Sequence, residues 1–113
     1  MDPRIAVALI ELERRLAEPL SVAGLAAAVG LSASRFAHLF RATMGAPPMR
    51  HLQTLRMNRA ALLLARTSLS VADVMKHVGY TDASHFRRDF RRQHGRSPRE
   101  WRLAGGTALC ASH

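Results

Sequence analysis

Ser84, His85, Arg87, Arg88, Arg91 and Arg92 fall within one short stretch, and Ser34, Arg35, His38 and Arg41 form a sparser version of the same set. The planar arginine fork makes paired hydrogen bonds to phosphate oxygens and to guanine edges, and short polar side chains reach base edges from close range. At about 100° per residue on a helix, Ser84, Arg88 and Arg91 share one side, flanked by His85, Arg87 and Arg92. Phe86 and Phe90 mark the opposite, buried side, with Ala83 near it. In the earlier set Ser34, His38 and Arg41 point outward, flanked by Arg35 and Ala37, while Phe36, Leu39, Phe40 and Thr43 point inward. A recognition helix needs such a face, apolar behind and polar in front, with its N-terminal residues on base edges and later ones on phosphates. Ser34, Arg35, His38, Ser84, His85, Arg87 and Arg88 are therefore assigned to base readout. Arg41, Arg91 and Arg92 are assigned to phosphate. A solvated face of an ordinary amphipathic helix is the competing explanation for either set alone, and it weakens because the pattern occurs twice.

Other chemistries find little support. The chain has six histidines, but no two stand three or four residues apart on a helix face, and there is no His-Glu-x-x-His motif. The single cysteine, Cys110, excludes an internal disulfide and a cysteine-built zinc site, and it reads as an incidental thiol. No paired carboxylate, nucleophile triad or glycine-rich phosphate loop is visible, and the acidic residues are expected mostly at helix starts or on solvent faces. No catalytic residue, metal or cofactor is assigned, and the chain is expected not to be an enzyme.

The elements that would carry these side chains are written twice. Leu20-Ser21-Val22-Ala23-Gly24-Leu25 returns as Leu69-Ser70-Val71-Ala72-Asp73-Val74, and Val29-Gly30 returns as Val78-Gly79. Phe36, Phe40, Gly45 and Pro48 return as Phe86, Phe90, Gly95 and Pro98, one residue further on, so the second copy has a longer turn. Each copy reads as helix, glycine turn, helix. Asp2-Pro3 starts a first helix over about 3–17, with Ile5, Leu9, Leu12 and Leu16 on its buried face, and Glu18-Pro19 ends it. Ser21 caps a short helix to about 29, and Leu20 is placed to staple onto Leu25. Helices over about 33–44 and 48–66 follow, the latter with Leu52, Leu55, Ala60, Leu63 and Leu64 at helical spacing. In the second copy Ser70 and Asp73 form an expected capping box, the helix ends near Gly79, and another spans about 82–94. Ser97 caps a last helix over about 98–103. The fold class is all-α, with seven helices and two helix-turn-helix lobes. Lobe one covers about 3–47, a connecting helix about 48–66 and lobe two about 69–103. Residues 1–104 form the domain, and residues 105–113, opened by two glycines, are expected to be a mobile tail.

At 113 residues the chain has room for one such domain, and its net charge of +9 makes a polyanion the natural partner. Of 17 basic residues all but Lys76 are arginine, and Arg87, Arg88, Arg91, Arg92, Arg96, Arg99 and Arg102 crowd one segment. No apolar run is long enough to span a membrane, and Met1-Asp2-Pro3 does not begin a signal segment, so a cytoplasmic protein without a membrane partner is expected. Two recognition helices in one chain, with no surplus apolar helix for a dimer seam, predict a monomer on double-stranded DNA. The alternative is a degenerate helix-turn-helix module that docks on a protein without specific DNA readout.

The stretch from Leu69 to Arg102 combines Ser-Val-Ala-Asp, Val-Gly-Tyr, His-Phe-x-x-x-Phe, Gly-x-Ser-Pro and Trp-Arg. It resembles the signature of the AraC/XylS family of bacterial transcription regulators, and the first repeat with Leu55-Arg56-Met57 and Ala60 is similar to the rest of that family's DNA-binding domain. The resemblance covers about residues 3–103. It implies a seven-helix, two-lobed domain whose two recognition helices enter successive major-groove segments. It also implies transcription regulation, often through contact with RNA polymerase. Two features depart from the family pattern. Met75 stands where a small alanine is favoured, as Ala26 is in the first repeat, and is expected to shift the second lobe's packing slightly. Most family members also carry an effector-binding or dimerising domain before this one, whereas this chain starts directly at the DNA-binding domain. That fits either a free-standing regulator or part of a longer gene product.

Overall fold

The chain winds into α1 (Pro3–Arg14), α2 (Val22–Ala28), α3 (Ala33–Met44), α4 (Pro48–Arg66), α5 (Val71–His77), α6 (Ala83–His94) and α7 (Pro98–Leu103), seven helices and no strand among the described residues. The structure, a computed structural model, describes residues 1–105. Of the tail expected over residues 105–113, residues 106–113, with Cys110, lie outside them.

Short polar residues set where six of these helices begin. The side chains of Asp2, Ser21, Ser32, Ser70, Asp82 and Ser97 each accept a hydrogen bond from a backbone N–H in the first turn of the helix that follows. Each such cap contributes about 1 kcal/mol to its helix. The complete reciprocal box is at Ser97, whose Oγ accepts from Glu100 N at 3.1 Å while Glu100 Oε1 accepts from Ser97 N at 2.9 Å. At Ser70 only the forward half forms, from Asp73 N at 3.0 Å, which corrects the box expected there. Aspartate is one methylene shorter than the glutamate or glutamine that closes a box.

The short helices of both copies end in the same Schellman motif. Leu31 N donates to Ala26 O at 3.0 Å and Gly30 N to Ala27 O at 3.2 Å, while Tyr80 N donates to Met75 O at 3.0 Å and Gly79 N to Lys76 O at 3.1 Å. Gly30 and Gly79 take φ of +74° and +86°, a left-handed conformation that a side chain would strain. This motif seats Leu31 in one copy and Tyr80 in the other. The helices α2 and α3 then meet at 90°, within the helix-turn-helix range.

The backbone divides into two compact units, Met1–Leu55 and Arg56 onward, so the boundary falls inside α4. In the first unit Ile5, Ala8, Leu12, Leu16, Leu25, Ala26, Phe36, Phe40 and Leu52 are buried. In the second, Met57, Ala60, Ala61, Leu64, Val74, Val78, Phe86, Phe90 and Trp101 are buried. The repeat extends into the aromatic packing. Phe40 meets His51 edge-on at 5.7 Å, and Phe90 meets Trp101 edge-on at 6.0 Å. Thus α7 does in the second unit what the first turns of α4 do in the first. The second unit adds His94, packed at 4.7 Å from Phe90 and 5.1 Å from Trp101.

Several local expectations need correction. Helix α1 stops at Arg14 instead of about 17, because the residue before Pro19 is steered away from helical geometry and the chain tightens, with Glu18 N donating to Arg15 O at 2.9 Å. Leu16 is buried even so, while Leu9, Leu55 and Leu63 are only half-buried. Thr43, expected inward, is exposed, and its hydroxyl donates back to Leu39 O at 2.9 Å. Ala83, the first residue of α6, is exposed as well. Ala26 is fully buried in α2, whereas the longer Met75 is half-buried in α5.

Candidate nucleic-acid interface

Helices α3 and α6 are built alike. Each follows a capped turn, Ser32 Oγ accepting from Arg35 N at 3.2 Å and Asp82 Oδ1 from His85 N at 2.9 Å. Each ends at a left-handed glycine, Gly45 or Gly95. Each buries a phenylalanine pair one turn apart, Phe36 with Phe40 and Phe86 with Phe90, ring centroids 5.8 and 6.1 Å apart. That anchoring turns the remaining face outward. Ser34, Arg35, His38 and Arg41 on α3 are exposed, as are Ser84, His85, Arg87, Arg88, Arg91 and Arg92 on α6. Every residue assigned to base readout or phosphate from the sequence thus lies on the solvent side of one of these helices, with its own set gathered on one face.

The two faces match position by position but differ in chemistry. Arg35 is matched by His85, Ala37 by Arg87, His38 by Arg88, Arg41 by Arg91 and Ala42 by Arg92. The α6 face carries four guanidinium groups where the α3 face carries two. Beneath the α3 face, Leu31 and Leu39 with Ser34, Arg35, His38 and Arg4 line an open recess of about 340 Å³. The positions equivalent to Leu31 and Leu39 are Tyr80 and Asp89. Tyr80 Oη donates to Asp89 Oδ2 at 2.8 Å, and Arg88 Nε approaches Asp89 Oδ1 at 3.4 Å. Asp89 is only 7 % exposed, an exception among acidic residues expected mostly at helix starts or on solvent faces. The signal was available in the repeat itself, since its counterpart Leu39 is apolar.

Not every arginine of the crowded segment faces outward with α6. Arg102 is half-buried, its Nε donating to Leu64 O at 3.1 Å and its Nη2 to Thr67 O at 3.3 Å, where it satisfies carbonyls at the end of α4. Arg56 is partly buried on the Tyr80 side, and desolvation pulls its guanidinium below the ordinary arginine range, partly offset by Tyr80. At the entry to α6, the backbone hydrogen bond from His85 holds Asp82 below the usual carboxylate range, so the cap is anionic at neutral pH. Among the described residues no group of three or more histidine, cysteine or carboxylate side chains is placed to hold a metal ion, and no single helix is long and apolar enough to cross a membrane.

The sequence profile of a family described as "Helix-turn-helix domain" matches residues 25–104. The chain is similar to the arabinose operon regulatory proteins of Salmonella typhimurium and Escherichia coli, each 36% identical over 103 residues and 90% of this chain. It spans 37% and 35% of their lengths, little more than a third of the curated relatives it matches. Among solved structures, it is similar to a transcriptional regulator with an AraC-type DNA-binding domain from Chromobacterium violaceum, with a TM-score of 0.85 and 32% identity over 91% of this chain and 92% of that one. It is also similar to the DNA-binding domain of AdpA, a global transcriptional factor solved with a target DNA. That match has a TM-score of 0.82 and 35% identity over 92% of this chain and 93% of that one.

Proposed function

The chain belongs to the AraC/XylS family of helix-turn-helix DNA-binding domains, and on that premise we propose that it reads specific duplex DNA sequences through α3 and α6 to regulate transcription. The observation that carries this reading is the duplicated geometry. Two helices of equal length, capped and terminated alike, each hold a phenylalanine pair in the core and turn a serine, a histidine and arginines outward. One such face suits any solvated helix, but two copies of it suit a partner that itself repeats, as the duplex major groove does.

Within this reading Ser34, Arg35, His38, Ser84, His85, Arg87 and Arg88 contact bases, and Arg41, Arg91 and Arg92 contact phosphates. The protein acts by binding and not by bond chemistry, as a monomer in the bacterial cytoplasm, and RNA polymerase is its protein partner on the promoter. The AdpA domain's complex with a target DNA and the regulatory names of the relatives support the DNA partner and the regulatory role. Selection of duplexes from a random pool, followed by titration of the enriched and scrambled sequences, is the test. The expected result is an enriched asymmetric site bound at least about a thousandfold more tightly than scrambled DNA. Equal affinity for both would overturn specific readout and leave non-specific binding to the duplex backbone. Sedimentation of the free protein is expected to give a monomer.

A further inference from the structure

The two recognition helices differ in one respect that their shared ancestry of pattern does not require. In the first unit, Leu31 and Leu39 stand beside the outward face and border an open recess. In the second, the same two positions hold Tyr80 and Asp89, joined by a 2.8 Å hydrogen bond. A carboxylate that is only 7 % exposed is costly unless its oxygens are satisfied, so its presence in α6 calls for a use.

The contacts form a chain from the core to the surface. Phe86 is fixed in the core, and Tyr80 packs edge-on against it at 5.5 Å. The Tyr80 hydroxyl donates to one oxygen of Asp89, and the other oxygen faces Arg88 Nε at 3.4 Å. Arg88 itself remains 58 % exposed, so its outer nitrogens stay available. Free arginine has many rotamers, and ordering it on binding costs affinity and blurs base preference. A buttress on Nε that leaves the terminal Nη groups forward reduces both losses. His38, the counterpart of Arg88, has Leu39 where Arg88 has Asp89. We propose that Asp89, anchored by Tyr80, is a positioning residue that presets the Arg88 guanidinium for base readout. The second unit thereby becomes the more discriminating reader of sequence.

This rests on Arg88 reading a base, so the experiment separates the two ideas. Duplexes selected by the unaltered protein are varied one base pair at a time and titrated with Arg88→Ala, Asp89→Asn, Tyr80→Phe and the Arg88→Ala/Asp89→Asn pair. Arg88→Ala identifies the base pair it reads. At that same base pair, Asp89→Asn and Tyr80→Phe are expected to lower discrimination by about fivefold or more, while affinity for scrambled DNA holds or rises. In the Arg88→Ala background, Asp89→Asn is expected to cost no further discrimination. Tyr80→Phe keeps the ring against Phe86, so it still decides the matter if Asp89→Asn fails to fold. Base preferences unchanged in Tyr80→Phe and in any folded Asp89→Asn protein overturn the positioning role while leaving Arg88 as a reader. A loss spread evenly over all base pairs and scrambled DNA also overturns it, because that is the mark of a structural role alone. If Arg88→Ala itself changes no preference, the reading of α6 fails first and the positioning role falls with it.

Discussion

At the scale of single residues, the outward set of α6 divides by depth along the helix. Arg88 lies opposite Phe86 and Phe90 in the helix's first half, whereas Arg91 and Arg92 come a turn later, toward Gly95. A side chain near the N-terminus of a recognition helix meets base edges, and one further along meets the phosphate wall. Arg88→Ala is therefore expected to cost roughly 1–3 kcal/mol on the selected site and relax preference at one or two base pairs. Arg91→Ala and Arg92→Ala are expected to weaken selected and scrambled DNA alike. Arg91 and Arg92 are exposed, so thermal melting of their variants should be nearly unchanged. Arg88→Ala also removes a partner of buried Asp89 and is compared well below its own melting midpoint. Titration against single-base variants checks this. If the Arg88 variant keeps every parental preference, Arg88 does not read a base.

At the scale of elements, the second unit is tied together by contacts between α4, α6 and α7. Trp101 Nε1 donates to Ala61 O at 3.0 Å, and Gln93 Nε2 donates to Asn58 Oδ1 at 2.7 Å. Arg102 supplies hydrogen bonds to carbonyls at the α4 end, a site where positive charge also suits the helix dipole. Arg102→Ala is expected to lower unfolding free energy by about 1–2 kcal/mol, discounted for partial exposure, with scrambled-DNA affinity little changed. Denaturant midpoints measure it, and an unchanged midpoint would remove Arg102 from the framework. His94 makes a pH-dependent contribution. Burial between Phe90 and Trp101 holds its imidazole below the ordinary histidine range, and its hydrogen bond to Met57 O at 3.2 Å opposes that shift more weakly. The unfolded chain binds the proton more readily, near pH 6.5, so the stabilisation is present above that pH. It is lost as pH falls from there through the folded value. His94→Phe, which keeps a flat ring in place, is expected to flatten the stability profile over that interval. Caps, turn glycines and buried faces were legible in the sequence because they are local patterns with short periods. The roles of Arg102 and His94 were not, since each depends on carbonyls or rings that approach from a distant part of the chain. Asp89 escaped notice for a different reason. Its charge suggested solvent, and only its alignment with Leu39 placed it inside.

For the molecule as a whole, charge is distributed less evenly than the repeat would suggest. Up to Leu55 the chain has six basic and four acidic side chains, and from Arg56 on it has eleven and four, so the net +9 divides into +2 and +7. The acidic residues of the first unit, Asp2, Glu11, Glu13 and Glu18, all belong to α1 and its flanks. Three of them pair with Arg4, Arg14 and Arg15, which leaves Arg35 and Arg41 of α3 and Arg50 of α4 as the cationic part. In the second unit the arginines of α6 outnumber its one buried acid. A duplex attracts such a surface whatever its sequence, because each neutralised phosphate releases condensed counterions. Plots of log K against log salt are therefore expected to be steep, with about 0.9 of slope for each phosphate engaged. Replacing Arg91 and Arg92 together by alanine is expected to reduce the slope by about two, and replacing Arg41 alone by about one. The same double replacement should leave the preferred sequence unchanged, because phosphates carry no direct sequence information. Titrations from low to physiological salt on selected and scrambled duplexes measure both quantities at once. An affinity that stays flat with salt would mean that the +7 of the second unit faces something other than a polyanion, and the protein-docking reading would then account for the arginines better than DNA does.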